Sequence, residues 1–404
     1  MSFNIALTGL DAANQDLSVT SNNLANADTT GFKGSTTEFA DLFSGGQSTT
    51  AVGNGVAVSE VAQQFTQGNI ETTGNNLDLA VSGNGFFIVS NNGALNYTRD
   101  GEFQLNADGD IVNAQGQPLQ AYPPLADGGF NTGGLANISL NTNESQPQAT
   151  STAQITANLP ANAAPPTDAV FSPTDPESYN NTTSLTVYDS LGAAHTASLY
   201  FIKGAAANDW TVQLYVDGAA VGTPQALDYS PTGALTAPAN GQITFPAYTP
   251  ATGAQAMNMT FDFSNTTQFG GNFAVTAVQQ NGFTTGQLTG INIDQTGVVQ
   301  AQFTNGRSVD LGQIALANFA NPQGLQQLGS ATWAPSDSSG AAVNGIAGNS
   351  GFGQIESGSL EESNVDTTSA LVEMITAQRD FQANAQMIQT EDQVTQSIID
   401  IRGS

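Results

Sequence analysis

Cysteine is absent from all 404 residues, which removes disulfides, thiol nucleophiles and thiolate metal sites together. Positive charge is almost as scarce. Six basic residues, Lys33, Arg99, Lys203, Arg307, Arg379 and Arg402, stand singly against 34 acids and leave a formal net charge of −28. Nucleic acid requires clustered cations to neutralise several phosphates, and an anionic lipid surface requires the same, so both classes of partner are excluded. Charged residues are only 10% of the chain, against about 25% in ordinary soluble domains; Asn, Gln, Ser, Thr and Gly clothe the surface instead. No uninterrupted apolar run approaches the ~20 residues of a membrane span, and no insertion into a membrane is expected. The first lysine comes at position 33, so the start lacks the basic region of a cleaved secretory signal. One histidine, His195, is too little for a catalytic triad, and it reads as a structural residue in an exposed hairpin turn. No catalytic residue, cofactor or metal is expected.

The two ends differ from everything between them. Over 2–26 the apolar residues Phe3, Leu7, Leu10, Leu17 and Leu24 are spaced by four, three, seven and seven, a heptad seam with Asn14 and Ser21 as polar members. Neither Gly nor Pro interrupts 367–402, where Leu371, Met374, Ile375, Phe381, Ala385, Ile388, Val394, Ile398 and Ile401 form a second stripe. Asp366 is placed to cap that helix, since a carboxylate there accepts from free first-turn amides. At 1.5 Å per residue the two helices would be roughly 37 Å and roughly 54 Å long. Neither buries its stripe alone, so the ends are expected to pack on each other or on copies of themselves.

From 71 to 357 the pattern is β: short alternating runs separated by glycine-rich turns. Leu77, Leu79 and Val81 precede a Gly83-Asn84-Gly85 turn, Phe86 opens the next run, and 210–216, closed by Asp217-Gly218, predicts half of a hairpin. Further strands are predicted at 184–188, 197–202, 273–278, 291–293, 298–303 and 313–317. Asn106-Ala107-Asp108-Gly109-Asp110 has part of a calcium-loop pattern, but the missing ligand positions favour a turn. Polar, Pro-rich 137–176 and glycine-bearing 281–290 mark crossing points, which predict nested domains: 1–28 with 366–404 as a helical core, 29–70 with 358–365 as linker, 71–144 with 285–357 as a β domain, and 145–284 as an inserted β domain. The fold class expected is α+β and multidomain, with long terminal helices in a coiled-coil-like core and nested all-β domains in the middle.

Both ends resemble one family, the axial proteins of the bacterial flagellum, which comprises rod, hook and junction subunits. At the N-terminus the resemblance rests on Thr8-Gly9-Leu10-Asp11-Ala12-Ala13 and on Asn22-Asn23-Leu24-Ala25-Asn26-Ala27-Asp28-Thr29-Thr30-Gly31-Phe32-Lys33. Toward the C-terminus it rests on Leu360-Glu361-Glu362-Ser363-Asn364-Val365-Asp366, on Leu371-Val372-Glu373-Met374-Ile375, and on Ala377-Gln378-Arg379-Asp380-Phe381-Gln382-Ala383-Asn384-Ala385. The middle is similar to hook subunits in particular, through Asn84-Gly85-Phe86-Phe87, Tyr179-Asn180 ahead of 184–192, and 311–319, and most weakly over 204–258. Ser369-Ala370 depart from the family pattern, and Gly403-Ser404 run past its usual end.

The resemblance implies a structural subunit that polymerises with itself into a curved, flexible tube, a universal joint carrying torque from rod to filament. It also implies a hook cap protein, a distal rod protein and hook–filament junction proteins as partners, export through the flagellar type III apparatus, and an extracellular place in the hook. The terminal stripes would form the inner wall, with the β domains outside it. Open alternatives at this point are a distal rod or junction subunit, an extracellular adhesin with dispensable ends, and a secreted polysaccharide-active enzyme with a carboxylate pair in a cleft.

Overall fold

The computed structural model describes residues 2–42, 53–126, 128–140 and 144–403. The stretch 43–52 of the expected linker, the side chain of Ile401 and residue Ser404 lie outside the described residues. Two compact units emerge, one made of Met1–Thr142, Gly290–Gln302 and Ser308–Ser404, the other of Asn143–Thr289 and Phe303–Arg307.

In the first unit the chain opens with helix α1, Ser2–Ala25, and closes with helix α2, Thr367–Gly403. Asp366 caps α2 as expected: its Oδ1 accepts from the Ser369 amide at 2.6 Å, and that hydrogen bond holds the carboxyl below its ordinary value. Between the helices in sequence lies a sheet organised on the strand Ser308–Asn318, which pairs antiparallel with Phe86–Asn91, Gln120–Tyr122, Val298–Phe303 and Val343–Ile346. Successive residues of this strand serve opposite cores. Ile314 and Leu316 join Leu79, Phe87, Leu119 and Ile355 on one side, while Ala315 and Ala317 meet Phe86, Tyr97, Phe319 and Trp333 on the other. A strand buried on both faces reads as an unbroken apolar run, as 314–317 does.

The region expected to be a linker contains structure. Ser35–Asp41 pairs antiparallel with Val56–Gln63, with an irregularity in register between Glu38 and Phe39. Its sequence gave no period because most of this two-stranded hairpin is exposed on both faces, so selection for alternating burial is weak.

The second unit is a sandwich. One sheet runs Asn181–Tyr188, Ala194–Lys203, Asp209–Val216, Ala219–Tyr229 and Leu235–Ala237 in antiparallel order; the other is centred on Thr152–Pro160. Thr152–Pro160 alternates buried and half-buried residues along its length, the period-2 pattern of a strand with one covered face. Ile155, Leu159, Phe261 and Phe263 share one core with Leu199, Phe201, Trp210 and Leu214. Asp217 and Gly218 both have positive φ, 49° and 80°, which a two-residue type I′ hairpin turn requires.

His195 corrects the sequence reading. It lies in the strand Ala194–Lys203 and is only 7% exposed, not out in the turn. Its Nδ1 is 2.6 Å from Asp217 Oδ2 and its Nε2 is 3.2 Å from Asp189 Oδ2. Both partners are acceptors, so the doubly protonated ring satisfies both contacts. Burial lowers the histidine's affinity for its second proton, but the hydrogen bonds and charges of Asp217 and Asp189 outweigh it and the pKa rises. Asp189 is desolvated too, yet hydrogen bonds from Thr252, His195 and two backbone amides bring it down to about 2. A raised histidine stabilises the fold fully below its unfolded value of about 6.5 and loses that contribution as pH rises through the folded value. The depressed Asp189 contributes above about 3.9 and loses it toward pH 2. The unfolding temperature of this unit is therefore expected to fall in calorimetry as the pH is raised past about 6.5, and His195→Gln is expected to flatten that slope; an equally steep slope in the variant would contradict the assignment.

Candidate functional site

The helices α1 and α2 lie side by side and antiparallel. Gly9, near the start of α1, abuts the Asn384 side chain far along α2, so closely that a Cβ at Gly9 would lie 2.7 Å from Asn384 Oδ1. At the other end, Gly34, just beyond α1, adjoins Val365, just before α2, and Asn23 near the end of α1. Small residues permit the approach: Ala6, Ala13 and Thr20 are buried at seven-residue intervals on α1, and Ala370 and Ala377 are buried seven apart on α2. Met374, Phe381, Asn384, Ala385 and Ile388 continue the α2 side as half-buried residues.

The sequence-predicted stripe divides on this frame. Leu10, Leu17 and Leu24 are half-buried beside the small-residue seam, whereas Phe3 and Leu7 are exposed. On α2, Leu371, Ile375, Val394 and Ile398 are exposed, joined by Val372 and Met387. Val394 and Ile398 lie on an overhang. With Gly9 opposite Asn384, α1 runs out near residue 391, and α2 continues for about 12 residues, ~18 Å. Six large apolar side chains on one helix, each 47% to 60% exposed, are more than a monomer normally shows to water.

At the base of the helix pair sits a charged cluster that sequence reasoning missed. Glu361 is fully buried; its Oε1 is 2.6 Å from Lys33 Nζ and its Oε2 is 3.0 Å from Arg99 Nη1. The Gly68 amide also donates to Glu361 Oε1 at 2.9 Å. Backbone carbonyls accept further hydrogen bonds, Thr66 from Lys33 and Val81 and Gly83 from Arg99, though Arg99 Nε finds no hydrogen-bond partner among the described residues. Burial pulls both cations below their ordinary pKa values, and the Glu361 carboxylate opposes it. Three of the five basic residues whose side chains are described lie buried, and the sequence carried no signal of it beyond the scarcity of such residues.

The family-motif residues gather around this cluster. The Gly31 amide donates to the Glu361 carbonyl at 2.8 Å and the Asn364 amide to Phe32 O at 3.4 Å. The Gly34 amide donates to Asn364 Oδ1 at 2.8 Å, and Asn364 Nδ2 reaches Gln64 O at 2.7 Å. Asn23 clasps both backbone groups of Ser35, accepting from N at 2.9 Å and donating to O at 2.7 Å. Asn26 Nδ2 bonds Asn22 O at the frayed end of α1. Gly31 has φ +66°, and a Cβ there would strike the Asp100 amide, so only glycine fits. Ser363 is buried and Val365 half-buried at the same junction, whereas Ala25 at the end of α1 and Gln378 and Arg379 along α2 are exposed. The two motifs therefore bind the exit of α1 and the entry of α2 to the β body. Trp333 Nε1 adds a 2.7 Å hydrogen bond to Gln63 at the foot of the hairpin.

Comparison with known proteins gives a consistent set of matches. Residues 3–33 match the model of the flagella basal body rod protein and 356–401 that of the flagellar basal body rod FlgEFG protein C-terminal region. Residues 80–159 match the flagellar hook protein FlgE/F/G D1 domain and 158–283 the flagellar basal body protein FlaE D2 domain. The flagellar hook protein FlgE of Salmonella typhimurium is 39% identical over 414 residues, covering 100% of both chains. That of Escherichia coli K12 is also 39% identical with full coverage, and that of Treponema pallidum is 31% identical over 98% of each. Among solved structures, the Helicobacter pylori flagellar hook protein FlgE2 superposes with a TM-score of 0.53 at 14% identity, covering 71% of this chain and 99% of that one, which speaks to the fold.

Proposed function

This chain belongs to the flagellar hook protein family, and from that premise we propose that its terminal helices are the surface through which copies pack into the hook. As a hook protein it is a structural subunit of the bacterial flagellum that assembles as a polymer. The observation that carries the proposal is the pairing of a small-residue seam inside the chain with a large apolar surface left outside it. Phe3, Leu7, Leu371, Ile375, Val394 and Ile398 are free to enter neighbouring copies, while Leu10, Leu17, Leu24, Met374, Phe381, Ala385 and Ile388 steady the pair itself. Segments 1–28 and 366–404 then form the assembly domain, and the charged base couples it to the sheet, so that torque applied to the helices reaches the β body.

A hook that bends while turning must let subunits slide. Few ion pairs and many Asn, Gln, Ser and Thr side chains favour this, because wet polar contacts exchange readily with water. Export through the flagellar type III apparatus, folding under a hook cap protein outside the cell, and end contacts with distal rod and hook–filament junction proteins complete the proposal. Electron microscopy of basal bodies from a strain lacking the gene tests it. They are expected to end at a finished rod with neither hook nor filament, and a curved hook on those basal bodies would contradict the assignment.

A further inference from the structure

In the second unit the loop 246–257 is fastened over the two turns that hold His195, and it shares their carboxylates with the ring. The loop folds back on itself through reciprocal backbone hydrogen bonds between Tyr248 and Met257, at 3.0 and 2.7 Å. Three bonds tie it down. Thr252 Oγ1 donates to Asp189 Oδ2 at 2.7 Å, Tyr248 Oη to Asp217 Oδ2 at 3.3 Å, and the Gln255 amide to Ser190 Oγ at 2.9 Å. Those same two oxygens accept from the imidazole, Asp189 Oδ2 at Nε2 and Asp217 Oδ2 at Nδ1.

The carboxylates are not free to turn away from the ring. Asp189 is fully buried, and the amides of Leu191 and Ala193 donate to its Oδ1 at 2.9 Å each; the Thr196 amide donates to Asp217 Oδ1 at 2.9 Å. The charged or titratable groups facing His195 are these two aspartates and, from the loop, Tyr248, whose ring lies edge-on at 5.9 Å. None of them is a cation. A neutral imidazole has one N–H, so if Nδ1 keeps the shorter contact, 2.6 Å to Asp217, the Nε2 lone pair is left facing Asp189 Oδ2 at 3.2 Å. A buried carboxylate stripped of its cationic partner has to recover water. The loop is the element that gives way, because side chains and not a strand ladder tie it to the two turns.

We propose that His195 is the latch of a proton-controlled flap: the doubly protonated ring holds the loop 246–257 down on Asp189 and Asp217, and loss of one proton releases the loop while the sandwich beneath stays folded. Lifting the loop bares Ala254 and Met257, both buried in the closed form, so this end of the unit exchanges a polar surface for an apolar one. Burial opposes the second proton on His195, and the hydrogen bonds and charges of Asp217 and Asp189 override it. The closed form therefore holds below the free-imidazole value of about 6.5 and gives way as pH rises through the folded value.

Amide hydrogen exchange of the full-length chain, read by mass spectrometry over a pH series and corrected for base catalysis, tests the latch. The segment 246–257 is expected to lose protection at least about tenfold as pH is raised past about 6.5, the worth of one hydrogen bond to a charged group, while 197–203 and 210–216 keep theirs. His195→Gln supplies no charge at any pH, and its loop is expected to exchange at the alkaline rate throughout. Thr252→Val leaves the buried ring undisturbed and removes one tie from an exposed position; it is expected to raise loop exchange on the acid side and so to shrink the step. Loop protection that ignores pH, a full step in either variant, or strands that open together with the loop overturns the proposal.

Discussion

Replacing Glu361 by Gln is expected to destabilise the first unit by about 3–5 kcal/mol, the range for removing one partner of a buried ion pair. The side chain keeps its shape, so the cost is electrostatic. Lys33 and Arg99 remain buried beside each other, without the carboxylate whose charge opposed their desolvation. The Gly68 amide loses a charged acceptor as well. For a unit of this size, 1 kcal/mol moves the midpoint by about 2–4 °C, so calorimetry should show a transition about 10 °C lower, with the second unit unaffected. An unchanged midpoint would mean that the cluster is solvated and does not fix the helix base. Function should fail with it, because Gly31, Gly34 and Asn364 depend on the same junction.

The sequence exposed some of this architecture and concealed the rest for identifiable reasons. Both helices were legible to within a residue or two, because heptad spacing extends over many turns and Asp366 marks a start that its side chain makes physically. Strands such as Ala194–Lys203 and Asp209–Val216 were visible because one face is covered more than the other, whereas Thr152–Pro160 went unread inside the stretch 137–176 taken as a crossing point. The hairpin at Ser35–Asp41 escaped because neither of its faces is well buried. His195 was misplaced because its burial depends on Asp189 and Asp217, six and 22 residues away, and on Tyr248 and Thr252. Lys33 and Glu361 were both within recognised motifs, yet their pairing spans 328 positions and Arg99 enters from a third segment. The helix seam was the subtlest point. Large apolar residues drew the eye, but small ones, Ala6, Ala13, Ala370 and Ala377, set the approach within the chain and leave the large ones for other copies.

That division of labour makes Ala377→Glu the sharpest mutation in the assembly domain. Ala377 is 2% exposed, midway along the stretch of α2 that faces α1, where a longer side chain must push the helices apart. Its carboxylate would enter a seam of alanines and threonine with no cation nearby, and an unpaired buried charge costs several kcal/mol. Isolated helices of this length draw most of their stability from such packing, so the pair should open while the β body stays folded. Gln378→Glu supplies the control, adding the same charge one residue away on an exposed position. The decisive measurement is electron microscopy of hook–basal bodies from two strains, each making one of these variants as its sole copy. The account predicts bare rods from Ala377→Glu and complete curved hooks from Gln378→Glu; complete hooks from Ala377→Glu would contradict the claim that the paired terminal helices build the tube.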